Sequence, residues 1–253
     1  MRKAQFFYLL RRGLLSGGLN LIKEGLVMAS KFTTQGLSFP VQGSALFNGT
    51  SDYIQLNESF SHTNHTIAAW CYIEDNANSK YIFDQRDGND DGFRLMALSD
   101  ETIFYSVNAS DVQYTTPVIN EWVYIVATYD GSNQKLYIDG SQTNNQATSQ
   151  TINTTTNARI ASNSYSLIDY YSGNLANVAI WNRALSSDEI NSVMWKSYEA
   201  LSGTESNGLQ AWYALDDITS PAASLANMQQ LATDKNATIE NTAAITAAIN
   251  SLS

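Results

Sequence analysis

Between about Ser44 and Asn182, short runs of alternating apolar and polar residues recur and break at Gly, Asn, Asp or Ser. Period-two alternation puts successive side chains on opposite faces of an extended strand. A chain made of many such runs hides its apolar faces by stacking two antiparallel sheets. Strands are expected at 44–47, 52–57, 66–74, 80–85, 92–98, 102–107, 121–129, 134–139, 158–161 and 175–182. In the third of these Ile67, Ala69, Cys71 and Ile73 share one face, and Ala68, Trp70 and Tyr72 share the other. The segment at 121–129 is apolar on both faces, which predicts a central strand. Asp130, Gly131, Ser132 and Asn133 tolerate the backbone of a tight hairpin. Ser186 and Glu189 have capping-box spacing, and Ile190, Val193 and Met194 form one apolar stripe, so a short helix should run to about Lys196.

The fold class expected is therefore all-β, an antiparallel jelly-roll sandwich with a short capping helix and mainly helical extensions at both ends. Aromatic content of 11% and a charged fraction of 15% suit a strand-rich globule rather than a disordered chain. A net charge of -10 argues against nucleic acid as a partner, because following a phosphate backbone needs clustered Lys and Arg. The single cysteine, Cys71, lies in an alternating apolar run, which makes it a buried thiol, and no disulfide framework exists.

Near the N-terminus, the run Phe6–Leu10 meets Arg11 and Arg12, which makes it too short for a signal-peptide core or a membrane span. Residues 3–25 read as an amphipathic helix or arm that docks on something, although Gly13, Gly17 and Gly18 weaken one long helix. The domain organisation that follows is an arm at 1–35, a sandwich at 36–200, and an extension at 201–253. That extension holds a strand at 208–217 and a helical tail.

Four stretches carry a family resemblance: ALFNGTSDYIQL at 45–56, TIAAWCYI at 66–73, NEWVYIVATYDGSNQKLYIDG at 120–140 and SGNLANVAIWNRALSSDEI at 172–190. In this order they resemble the opening strand pair, aromatic strand, tryptophan-to-DG hairpin, and closing strand with capping helix of laminin G-like and pentraxin-like domains in the concanavalin A-like group. One departure is informative. GLQAWYALDD and TDKNATIEN, within 208–241, resemble the segment that in this group precedes the first stretch, yet here they come last. The displaced strand would close either its own sandwich, as a circular permutation, or a neighbour's.

The resemblance brings in an enzyme class, since laminarinase-type glycoside hydrolases share the sandwich and place paired carboxylates in the pattern E-x-D-x-x-E. No glutamate here has an aspartate two residues later. His62 and His65 stand together in what reads as an exposed polar loop, without a third ligand for a metal or a partner for a triad. Asp87, Asn89 and Asp91 followed by Gly92 reproduce half of a calcium loop, with a hairpin turn as the plainer alternative; Ca²⁺ is the one cofactor the sequence admits. The resemblance implies a second calcium site using Asp52 and the position after Leu175, but Ala176 and Asn177 stand where an acid is expected. For a sugar, Tyr165, Tyr170 and Tyr171 offer aromatic surface beside Asn163 and Asp169.

The expectation is a non-catalytic binding or structural module, exposed on a larger assembly such as a phage virion, where it would serve as a decoration, fibre or tail protein. Its expected location is a virion or extracellular surface. Its partners would be other structural proteins, contacted through residues 1–30 and the C-terminal tail, with copies of itself and cell-surface glycans besides. A free or secreted lectin-like adhesion protein is the alternative, with a glycoside hydrolase more remote.

Overall fold

A computed structural model describes residues 43–215 apart from 61, 76 and 117. The arm at 1–35 and the tail beyond 215, including its helical expectations, lie outside the described residues. The strands are β1 (Ala45–Asn48), β2 (Ile54–Gln55), β3 (His65–Ile73), β4 (Lys80–Arg86), β5 (Gly92–Ala97), β6 (Thr102–Val107), β7 (Ser110–Thr115), β8 (Trp122–Tyr129), β9 (Asn133–Ile138), β10 (Ser141–Ala147), β11 (Arg159–Ile160), β12 (Ser172–Trp181) and β13 (Leu209–Tyr213). One sheet has the order β1-β12-β3-β8-β9-β10, with β13 also on β12, and the other has the order β2-β11-β4-β5-β6-β7. Neighbouring strands are antiparallel throughout, so the expected jelly-roll sandwich is what forms.

The core lies between the sheets. Ile67, Ala69, Cys71 and Ile73 of β3 and Val123, Ile125, Ala127 and Tyr129 of β8 face Phe83, Phe93, Leu95, Ile103 and Tyr105 of the second sheet. Central strands of the first sheet are buried on their other face too, which demands a third layer. Helix α1 (Ser187–Val193) supplies it, started by the capping box of Ser186 and Glu189. Trp70 Nε1 donates to the Met194 carbonyl at 3.1 Å, and Ile190 and Val193 are buried. The short helix α2 (Gly203–Ser206) continues the cover, where Trp181 Nε1 donates to the Glu205 carbonyl at 2.8 Å.

One edge of β12 serves two partners. Its first half, from Ser172 to Leu175, pairs with β1, and its second half, from Val178 to Trp181, pairs with β13 of the same chain. Between them Asn177 sits at φ 47, a left-handed conformation that Asn tolerates, and its N–H donates to the Ala214 carbonyl at 3.0 Å. Ala211, Tyr213 and Leu215 thereby join the core. The Tyr213 hydroxyl is buried there without a hydrogen-bond partner.

The reading of His65 as an exposed loop residue is corrected. It opens β3, is fully buried, and stacks on Phe93 at 4.0 Å. Its Nδ1 lies 3.2 Å from the His62 carbonyl and its Nε2 2.5 Å from the Tyr105 hydroxyl. This fits a neutral ring that donates through Nδ1 and accepts through Nε2. Burial lowers its pKa to about 3, partly opposed by the His62 carbonyl.

Two outcomes are expected of this core. Tyr213→Ala should cost about 3–5 kcal/mol, whereas Tyr213→Phe, which removes only an unpaired hydroxyl, should cost nothing or stabilise; chemical denaturation of both variants measures this. Below the unfolded histidine value of 6.5 the unfolded state takes up a proton at position 65 that the folded state refuses until about pH 3, so stability falls with falling pH across that window. From pH 7.5 to 5 the loss from this group should reach about 2 kcal/mol, read as the difference in pH dependence between the wild type and His65→Phe.

Candidate functional site

The turn at Asp87–Asp91 and the loop at 162–171, singled out separately in the sequence, meet on the outer face of the second sheet. Alternation sends Phe93, Leu95 and Ala97 of β5 into the core, so Arg94 and Met96 face outward, as do their cross-strand partners Asp84 and Tyr81 on β4 and Ser106 and Phe104 on β6. The loop is laced along β4. Ala161 N–H donates to the Ile82 carbonyl at 3.2 Å, Arg86 N–H to Ser164 Oγ at 2.9 Å, and Tyr81 N–H to the Asp169 carbonyl at 3.2 Å.

Arg86 is the hub, with its side chain only 1% exposed. Its Nε donates to Asp84 Oδ1 at 2.7 Å, Nη2 to the Tyr81 hydroxyl at 2.8 Å, and Nη1 to Asp90. Burial disfavours its charge, but Asp84, Tyr81 and Asp90 more than offset that and hold the guanidinium protonated. Asp84 Oδ2 also accepts the Ser164 N–H and hydroxyl, at 2.8 and 3.0 Å. Above this network lies Tyr165, 49% exposed, with its ring 5.4 Å from the Arg86 guanidinium carbon. Leu167 and Ile168, further along the same loop, are exposed as well.

The other sequence candidates divide by what holds them. Tyr171 does not belong to the exposed platform. It is fully buried one residue before β12, packs edge-on to Phe47 at 6.2 Å, and donates its hydroxyl to the Tyr72 carbonyl at 3.2 Å. Asn163 is buried as well. Its Oδ1 accepts the Tyr165 and Ser166 N–H groups at 3.0 and 2.9 Å, and its Nδ2 donates to Tyr81, so it positions the loop rather than meeting solvent. Tyr170 is half-buried beside Tyr53, whose ring lies under Arg159. Asp169 is partly exposed at φ 53.

The calcium candidates are largely occupied by the protein itself. Asp87 Oδ1 accepts the N–H groups of Asn89 and Asp91 at 2.8 and 3.0 Å, the bonds of an Asx turn, and these hold its carboxyl below the usual range. Asp91 Oδ1 accepts the Asn153 N–H at 3.1 Å. Gly92, at φ 132, lies so close to Gln85 that an added Cβ would fall 1.9 Å from its carbonyl oxygen, so glycine there serves the turn. Asp52 stays in its own turn, where its Oδ2 accepts the Asn48 N–H at 3.2 Å. Asn48 pairs with Ser172, whereas Ala176 and Asn177 lie four and five residues further along β12, roughly 13–17 Å away at strand spacing. The second implied site is thus not assembled. No group of three or more His, Cys, Asp or Glu able to hold a metal occurs among the described residues.

The residues missed in the sequence are Tyr81, Asp84, Arg86, Asp90, Arg94, Phe104 and Ser106. Their signal was the polar parity of β4 and β5, where Asp84, Arg86 and Arg94 alternate with Phe83, Phe93 and Leu95.

A family model described as the concanavalin A-like lectin/glucanases superfamily, of the laminin G type, matches residues 48–191. Among solved structures, a Bacteroides ovatus protein proposed to bind carbohydrate is similar, with TM-score 0.59 and 15% identity over 70% of this chain and 52% of that one. The chain therefore spans about half the length of that protein. A heptameric SAP-like pentraxin from Limulus polyphemus is similar with TM-score 0.51 and 17% identity, over 71% of this chain and 96% of that one. At such identities the likeness is one of fold. A comparison with curated proteins gives no match.

Because Asp87 Oδ1 and Asp91 Oδ1 already accept backbone N–H groups, millimolar calcium should leave the melting temperature unchanged. A rise that Asp91→Asn abolishes would show that the turn opens to take the ion.

Proposed function

The chain belongs to the concanavalin A-like lectin/glucanase superfamily, and from that premise we propose that it is a non-catalytic carbohydrate-binding module. The observation that carries this reading is Tyr165, an exposed ring stacked on a guanidinium that is itself fixed by Asp84, Tyr81 and Asp90. A sugar ring gains from a flat, rigid apolar surface flanked by polar groups, because little side-chain freedom is lost on binding. The Bacteroides ovatus neighbour, itself proposed to bind carbohydrate, agrees with this reading. Hydrolysis is disfavoured by the same network. Retaining glycosidases need two free carboxyls about 5 Å apart, and the two carboxyls of this network, Asp84 and Asp90, are both engaged by Arg86.

The place of this module within an assembly such as a virion, and its self-association, rest on residues 1–30 and the C-terminal tail. The solution oligomeric state tests that part of the reading, with a monomer counting against it.

The binding reading predicts retention of a defined glycan set on an array, without calcium, and no release of reducing sugar from those glycans. Tyr165→Ala should weaken binding at least about tenfold while leaving the melting temperature within a few degrees, since the ring is half exposed. An array with no binder, or equal binding by the variant, would overturn it.

A further inference from the structure

Arg86 and Arg94 share one sheet face and one aspartate, yet their bonding is opposite. Arg86 has its side-chain donors engaged, while the side chain of Arg94 donates no hydrogen bond among the described residues. Its side chain is 19% exposed, and its nearest carboxylate oxygen, Asp90 Oδ1, lies 3.7 Å away and is also held by Arg86. The guanidinium carbon lies 5.0 Å from the Phe104 ring centroid. Directly across the strand pair is Ser106, fully buried, whose Oγ has no partner, and Arg94 Nε is buried without one as well. Burying a donor without a partner is unfavourable, more so for a charged group, so two such donors on a single face are a feature to be explained by what completes them.

We propose that Arg94 and Ser106 form an anion subsite of the glycan surface and that the sugar taken there carries a carboxylate. This rests on the carbohydrate-binding reading above. A carboxylate accepts two parallel N–H bonds from a guanidinium fork, and Ser106 adds a hydroxyl donor. With Arg94 lying over Phe104 these donors are shut from solvent, so the acid enters by lifting the side chain, which a ring contact and one long ion pair hold in place. Arg86 cannot serve in its stead, because Asp84 and Asp90 already neutralise it. Through Asp90, Arg94 adjoins the Arg86–Tyr165 stack, so the carboxylate and the stacked ring belong to a single ligand. For a protein of net charge -10, affinity for an acidic sugar also calls for a local cation of this kind.

The test is calorimetric titration of the full chain with glucuronate, galacturonate and N-acetylneuraminate, each against its methyl ester, beside a neutral glycan array. At least one acid should bind about tenfold or more tightly than its ester. Arg94→Gln should abolish that difference, Arg94→Lys should restore only part of it, and Ser106→Ala should reduce it a few-fold. Melting temperatures near the wild-type value would show that the variants fold. Equal binding of acid and ester, or an acid preference that survives Arg94→Gln, overturns the subsite and leaves the glycan reading standing. Binding of neutral glycans alone does the same. No binding on the array or by any acid overturns both.

Discussion

Strands β3, β8 and β12 carry apolar side chains on both faces, and the rest of the molecule is arranged around that constraint. A two-layer sandwich covers only one face of each sheet. The outward residues Ala68, Trp70, Tyr124, Val126, Ala179 and Trp181 are nevertheless 0–3% exposed. Helices α1 and α2 are therefore structural cover for the first sheet rather than decoration. Their anchoring through indole N–H groups suits the geometry, since a buried tryptophan needs a carbonyl for its nitrogen as well as a surface for its ring. With one sheet covered in this way, the outer face of the second, near the β4–β5 turn, is left to carry the buried Arg86 network and the exposed ring of Tyr165 above it.

The edge of β12 shows how such a fold accommodates a displaced strand. A residue in left-handed conformation at Asn177 interrupts the register between Ala176 and Ala179. The strand can then present one half to β1 and the other to β13 without either partner extending the full edge. Trp212 Nε1 reaches Asn177 Oδ1 at 3.3 Å, so the irregular residue is itself held. An open edge would otherwise leave a row of unpaired backbone groups beside an apolar core.

Most of the strand positions were legible because burial on one face enforces alternation, and the capping box was legible because its two residues act locally. The exceptions have particular causes. β7 and β10 are outer strands of the two sheets, with sequences too polar to show a buried face. Side-chain amides of the first sheet reach β7, Asn144 Nδ2 of β10 donating to the Gln113 carbonyl at 2.7 Å and Gln134 Nε2 of β9 to that of Ser110 at 2.9 Å. The hairpin into β7 turns at Asn108 and Ala109, both at positive φ, and lacks the glycine that would have marked it. His65 reads as part of a polar loop because its neighbours are polar, and only the packing of Phe93 and Tyr105 against it reveals a core residue. At the candidate site, the Tyr-rich loop was visible as composition. That Ser164 and Tyr165 lie on Arg86 was not, because the contact spans 78 residues of sequence and no local pattern encodes it.

The arrangement around Arg86 is hard to explain by stability alone. Burying an ion pair costs desolvation that an apolar pair of the same shape avoids, so Asp84 and Arg86 are weak evidence of stabilisation. What the pair does achieve is position. Asp84 holds Ser164, Arg86 lies over the ring of Tyr165, and Asn163 fixes the backbone between β4 and that ring. A surface aromatic on an unsupported loop would sample many orientations and lose that freedom on meeting a ligand; one seated on a rigid ion pair has lost it already. The buried network is thus best understood as the foundation of an exposed contact, a part that Arg94 beside it, held by a ring contact and one long ion pair, does not share.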